Sequence, residues 1–311
     1  MGKAVGIGET IVDMIFRNGQ PQKAVVGGSV FNAMVSMRRA GLEVAFVSET
    51  GEDKVGDIVV DFMKNNGMST DFLYRYSDVN TAISLAFLNE KSDAEYVFYK
   101  PKHETVVEPT PEIEDGDCLI YGSYYSISRD TRPMLLRLLE NSEDRDVVRY
   151  YDPNFRSSHL EELETLMPNI AENMSRSDIV RGSNEDFYNM FGIDVCKDEK
   201  GGEVRRLYDE KVGKLCQVMI CTCGAKGVWL VTPHLMKHYR TPNINALSTI
   251  GAGDNFNAGV MTEIMRRNVS RVEIGELKEE WDMIIQKGVD FSTHVCLSYD
   301  NYIDTEYGMK I

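Results

Sequence analysis

Twice between residues 29 and 67 the chain passes through a helix-periodic stretch that stops at a glycine, with a short apolar run in between. Ser29 reads as the N-cap of a helix whose Val30, Ala33, Met34 and Met37 share one face and which Gly41 closes. EVAFVSETG follows as a short strand and loop, and KVGDIVVDFMKNNG is an amphipathic helix ended by Gly67. This βα alternation predicts an α/β fold, an open and mostly parallel sheet with helices outside. The same rhythm returns in DCLIYGS, a helix near Arg132–Glu140, the strand VVRYYDPN, a helix near Glu161–Met174 and the strand end SDIVRGSNED. VMICTCGAKGVWLVT then reads as a tight hairpin-like pair, and a last helix is expected around Glu279–Asp290.

The rhythm breaks between about Asp78 and Lys100. TAISLAFLNE and AEYVFYK alternate in period two around the polar turn Lys91–Ser92–Asp93, the pattern of an antiparallel hairpin. A hairpin inserted among βα units stands off the main sheet as a flap, and its tyrosine-rich face needs a cover, either a ligand or another subunit. Ile83, Leu85, Tyr96 and Phe98 are the side chains available to one side or the other. A homodimer with flaps packed on each other is the expectation, by fold analogy.

With 311 residues and no internal repeat or low-complexity linker, the chain reads as one large α/β unit. Forty-nine Asp and Glu against 34 Lys and Arg give a net charge of −15 without any basic block, which argues against a nucleic-acid partner. No run of about 18 uninterrupted apolar residues occurs, so a soluble chain without a signal peptide is expected, and no membrane partner. The six cysteines lack paired CxxC spacing and read as reduced thiols of the cytoplasm; alternation on a buried strand accounts for Cys221 and Cys223 around Thr222. The histidines, His103 and His294 among them, form no HExxH or triad-like signature.

STIGAGDNFNAGV, residues 248–260, carries the chemistry. Gly251, Ala252 and Gly253 let the backbone expose its N–H groups, and the following helix, with Phe256, Val260, Ile264 and Met265 at helical spacing and a stop at Arg266–Arg267–Asn268, adds the positive end of its dipole. Asp254 beside that anion hole would repel a resting phosphate. It suits a base that takes a proton as an anion arrives, although plain helix capping accounts for the same residues.

Four stretches, in order along the chain, resemble the PfkB/ribokinase family of carbohydrate kinases. VGGSVFNAMVSMRRAG at 26–41 is similar to the family's N-terminal glycine-glycine and asparagine signature, and TIGAGD at 249–254 to its C-terminal signature. TCGAKGVWLV at 222–231 resembles the nucleotide-side TxGxxG strand-turn, and YYDPNFR at 150–156 with the TAISLAF…YVFYK hairpin is most similar to the fructokinase and 2-keto-3-deoxygluconate kinase branches. The resemblance implies a ribokinase-like three-layer fold over residues 1–311 with a small β-sheet lid, its strands inserted at about 12–28 and 78–104. It also implies transfer of the γ-phosphate of ATP to a sugar hydroxyl, with Asp254 as general base and the Gly251–Gly253 turn as anion hole.

Carried over residue by residue, the resemblance places the sugar where Asp13, Gly27, Gly28 and Asn32 converge, and Arg156 near its far end, where a structural salt bridge is the other reading. It places ATP along Thr222, Gly224 and Gly227. Ser183 and Asp186 fall on the family's N-x-x-E pattern, with Ser for Asn and Asp for Glu; the shorter Asp reaches Mg²⁺ through water. Ser248 replaces an aspartate that in many relatives helps bind an activating potassium ion, so weak potassium dependence follows. SYDNYID lacks the usual Gly-Ala turn and proline, leaving adenine contacts unassigned. GIGETI follows a strand, but the dinucleotide fingerprint fails at Ile11, and no GxxxxGK[ST] occurs. A catalytically silent sugar-binding relative is the alternative outside enzymes.

Overall fold

The computed structural model describes residues 2–88, 94–100 and 106–311. The chain starts in the centre of the main sheet with β1 (Ala4–Ile7), leaves it for β2 (Ile11–Arg17) and β3 (Gln20–Gly27), and returns through α1 (Ser29–Arg39), β4 (Val44–Gly51), α2 (Lys54–Asn65) and β5 (Leu73–Tyr76). β6 (Ile83–Leu88) and β7 (Ala94–Tyr99) form the hairpin. The βα rhythm resumes with β8 (Cys118–Gly122), α3 (Arg132–Asn141), β9 (Val148–Asp152), α4 (Leu163–Ser175), β10 (Ile179–Ser183), α5 (Asn184–Phe191) and α6 (Gly202–Leu207). β11 (Val218–Thr222), β12 (Val228–Val231), β13 (Met236–Tyr239), α7 (Ala252–Arg266), α8 (Glu280–Cys296) and α9 (Thr305–Met309) complete it.

Among the described residues the main sheet has nine strands in the order β13-β12-β11-β10-β9-β8-β1-β4-β5. It is parallel from β5 to β11, with β12 and β13 added antiparallel at one edge. Because successive strand side chains point to opposite faces, adjacent residues feed different cores. Ala4, Phe46, Ile120, Tyr150 and Ile220 pack with α1, α7 and α8, whereas Val5, Val47, Leu119, Tyr151 and Met219 pack with α3, α4, α5 and α6. Helices on both faces make the architecture three-layered, the ribokinase-like α/β class expected from the alternation. This is why β8 and β9 are buried on both faces, and why β8, CLIYG, reads as a near-continuous apolar run.

A second, four-stranded sheet, β3-β2-β6-β7, stands apart from the first. β2 and β6 run parallel, with Asp13 opposite Ser84. The register settles which of these side chains share a face. Ile83 lies opposite Tyr99 and Leu85 opposite Val97, so these share one face with the exposed Phe87, while Phe98 lies opposite Ser84 on the other. Ile83 and Leu85 therefore lie on the face opposite to Phe98. The turn Lys91–Ser92–Asp93, His103 and the side chain of Tyr96 lie outside the described residues.

Several boundaries move. α1 begins at Ser29 itself, with Gly28 at the N-cap in a positive-φ conformation (132°) and no side-chain cap, because a Cβ at 28 would lie 2.1 Å from the Glu9 carbonyl oxygen. The helix expected near Glu161–Met174 opens with a 3₁₀ segment, Ser157–Glu162, and the C-terminal helix extends to Cys296. All six cysteines are free.

Candidate active site

The ends of β9, β10 and β11 and the head of α7 meet at the carboxyl edge of the parallel sheet, the edge where open α/β sheets hold ligands. Gly251 is the N-cap of α7, at φ 76°, and a Cβ there would lie 2.7 Å from the Asn301 carbonyl oxygen, so the chain turns sharply into the helix only with glycine. Of the three N–H groups expected to form the anion hole, that of Ala252 is turned back to the Thr249 carbonyl at 3.2 Å. Those of Gly251 and Gly253, and in addition that of Asp254, meet no acceptor among the described residues. They stand at the positive end of a helix of 15 residues.

Asp254, part-buried at the first turn, accepts a hydrogen bond from Asn32 Nδ2 at 2.8 Å. Burial pushes its carboxyl up to about 6; Asn32 and Arg156 oppose the rise, and the charge of Asp152 adds to it. Asn32 comes from α1, a helix that packs on α7, and it is itself buried. Arg156 is exposed and makes no ion pair among the described residues, so the structural salt bridge considered for it is not formed there.

Asp13 occupies the other end, on β2 of the small sheet. It is 8% exposed, accepts from Ser84 Oγ, and takes a long 3.4 Å bond from Asn301 Nδ2. Burial pushes its carboxyl up to about 6, with Ser84 opposing the rise and Glu9 adding to it. A Cβ on Gly27 would lie 2.7 Å from Asp13 Oδ2, so glycine is what lets β3 pass so close. Asp13 thus meets Gly27 at the end of β3, the Asn32 N–H donates to the Gly28 carbonyl at 2.8 Å, and Asn32 meets Asp254, so contacts run from the small sheet to the head of α7. Lys100, at the end of the hairpin, is paired with Glu9 at 2.5 Å.

In the stretch that the resemblance assigns to ATP, Thr222 ends β11, and Gly224 begins the short turn that Gly227 closes. Asp186 does not stand free: Ser183 and Asp186 form a capping box on α5. Asp186 Oδ2 accepts from the Ser183 N–H at 2.7 Å and from Ser183 Oγ at 2.6 Å. Burial is the main cause that raises the Asp186 pKa. Among the described residues no three His, Cys, Asp or Glu side chains cluster as a metal cage. Ser248 is buried, its Oγ accepting the Ile250 N–H at 3.2 Å.

Two sets of residues escaped the sequence reading. Asn301 brings the C-terminal segment between α7 and β2: its carbonyl accepts from Asn255 Nδ2 at 2.8 Å, and its amide reaches Asp13. The second is a buried polar cluster beneath the α7 turn. Arg181 Nη1 donates to Asp152 Oδ2 at 2.8 Å and Nη2 to Thr222 Oγ1 at 2.6 Å. The same Asp152 oxygen accepts from Asn257 Nδ2 at 2.6 Å. An arginine in an otherwise apolar central strand, IVRGS, is the signal that marks it.

The pfkB family carbohydrate kinase model matches residues 1–298. The chain is 24% identical over 244 residues to probable fructokinase-4 of Arabidopsis thaliana, covering 77% of this chain and 73% of that one. It is likewise 24% identical over 271 residues to the aminoimidazole riboside kinase of Salmonella typhimurium, covering 86% and 82%. The Salmonella enterica aminoimidazole riboside kinase, solved with aminoimidazole riboside and an ATP analogue, superposes with a TM-score of 0.79 at 20% identity over 96% of this chain and 95% of that one. The Vibrio cholerae fructokinase, solved with fructose, ADP and calcium, does so at 0.78 and 17% over 96% and 94%. The fold is shared throughout, and by the extent of the family match the chain belongs to the pfkB family and is an ATP-dependent carbohydrate kinase.

Proposed function

We propose that the acceptor is a keto sugar, with neutral fructose first and the acid sugar 2-keto-3-deoxygluconate second, and that Asp254 is the general base. The observation that carries this reading is the position of Asp254. A carboxyl pushed up to about 6 stands beside three N–H groups without acceptors and is held by Asn32. A base works best when its proton affinity lies near the working pH. Asp254 takes the hydroxyl proton as that oxygen bonds to the γ-phosphorus of ATP; the bond to the β,γ-bridging oxygen breaks, and ADP leaves with the electron pair. The N–H groups of Gly251, Gly253 and Asp254 meet the charge that gathers on the phosphoryl oxygens, and Ala252 adds no bulk at the turn.

Asp13 and Asn32 bind sugar hydroxyls, Gly27 and Gly28 let the backbone approach, and Arg156 faces the sugar's far end. Thr222, Gly224 and Gly227 line the phosphates and ribose. A single carboxylate, Asp186 beside Ser183, fits an Mg²⁺ that keeps most of its waters, since this metal is commonly held by one or two carboxylates plus substrate phosphates. When bound it would supply charge neutralisation on the triphosphate. The small sheet acts as a lid that keeps water from becoming the acceptor.

The neutral sugar ranks first because a carboxylate substrate needs an uncommitted cation. Lys100 is already paired with Glu9, which leaves Arg156. The test is ADP release with ATP and Mg²⁺ across fructose, 2-keto-3-deoxygluconate, ribose, tagatose and adenosine. A site that pairs each hydroxyl should favour its substrate about ten-fold or more in kcat/KM. Fructose below a tenth of the best acceptor sinks the fructose reading, and no turnover with any of them favours the silent sugar binder.

A further inference from the structure

Arg181 is 6% exposed, yet its hydrogen bonding is incomplete. A guanidinium has five N–H donors in a fixed fork. Nη1 spends one on Asp152 and Nη2 one on Thr222, while Nε finds no partner among the described residues. Burying a charge costs several kcal/mol, and donors left without acceptors add to that cost. An aliphatic side chain at this place in β10 would serve the fold better. The fork also lies against the α7 turn: a Cβ built on Gly253 would be 2.9 Å from both Nη1 and Nη2, and the guanidinium carbon sits 5.8 Å from the centre of the Phe256 ring. It therefore faces the same point as the acceptor-free N–H groups of Gly251, Gly253 and Asp254, and through Thr222 it touches the nucleotide-side turn.

The geometry points to Arg181 as a catalytic residue that donates directly to the oxygens of the phosphoryl group in transfer. The inference rests on the kinase reading above. The chemistry is that of a planar cation and a tri-oxygen anion. Spare N–H groups on the fork meet oxygens that carry the most charge as the β,γ-bridging bond breaks. Asp152 then has a second consequence. It holds the fork in one orientation, and Asn257 in turn holds Asp152, so the cation needs no reorganisation when charge develops. Gly253 is required on this view for two reasons: its own N–H and the space it leaves for the fork.

The test uses the full-length protein. Arg181→Ala should lower kcat about 10²–10³-fold, within the range for removing a preorganised donor, with the Kd for fructose in the absence of nucleotide unchanged within three-fold. Guanidinium chloride at low millimolar concentration should restore at least ten-fold of the lost rate in Arg181→Ala and leave the wild type unaffected. Two further variants guard against loss of fold. Arg181→Lys keeps the charge without the fork and should lose about ten-fold in kcat. Arg181→Met combined with Asp152→Asn leaves no lone buried carboxylate and should be as slow as Arg181→Ala. Wild-type kcat in a folded variant overturns the assignment, as does a loss in sugar affinity that matches the loss in kcat, or absence of guanidinium rescue. A wild type that turns over no acceptor overturns the kinase reading instead.

Discussion

Asp254→Asn should give a protein that is slower yet more stable, and only above a particular pH. In the folded chain the Asp254 carboxyl is pushed up to about 6, chiefly by burial, whereas in an unfolded chain it returns to about 3.9. Between those values the folded state holds a proton that the unfolded state has released, so unfolding becomes easier as pH rises through the window, and above pH 6 the full penalty is present. Two pH units correspond to about 3 kcal/mol. Asp254 is part-buried, and screening reduces this to roughly 1.5 kcal/mol. An asparagine cannot ionise, and its oxygen can still accept from Asn32. The variant should match the wild type near pH 4 and exceed it by about 1.5 kcal/mol at pH 8, or about 3 °C in Tm for a chain of this size. Its kcat should fall about 10²–10⁴-fold. Urea melts and thermal scans at pH 4, 6 and 8, beside a coupled ADP assay, read both effects. A variant no more stable at pH 8 than the wild type would show that the cleft does not hold Asp254 against its own ionisation. Unchanged turnover would remove it from the chemistry.

The rate itself should follow the same group: kcat/KM for the wild type is expected to fall as pH drops through about 6, and a flat profile down to pH 5 would contradict the base assignment. Asn301→Ala removes the amide that reaches Asp13 and, through its backbone, disturbs the Gly251 turn less than a proline would; KM for the sugar should rise several-fold with kcat down by less, and an unchanged KM would count against a sugar-side role. Replacing tetramethylammonium with potassium at constant ionic strength should change the rate less than two-fold because Ser248 brings no carboxylate, and a several-fold rise would contradict this. A homodimer through the outer face of the lid predicts that Phe87→Lys with Val97→Lys, both exposed, yields monomers in light scattering at micromolar concentration, and a monomeric wild type would dispose of the idea.

The alternation of strand and helix was legible because it depends on local periodicity. Helices at 29–39 and 54–65, the central strands and the 83–99 hairpin each carry their own pattern in a short window. So does the glycine turn before α7, since a positive φ at Gly251 is a property of a few consecutive residues. Asp254, Gly27 and Asn32 could be named from such motifs. What they touch could not. Asn32 meets Asp254 across 222 positions of sequence, and Asn301 meets Asp13 across 288. Arg181 reads along the chain only as an oddity in an apolar strand; its pairing with Asp152 exists because β9 and β10 lie side by side in the sheet. The raised carboxyls are a tertiary product too, because desolvation depends on how closely distant segments crowd a group and not on its neighbours in sequence. Local pattern determined the elements and the chemistry-bearing turn. The packing of those elements decided which side chains meet, which N–H groups are left without acceptors, and how strongly each buried carboxyl resists its charge.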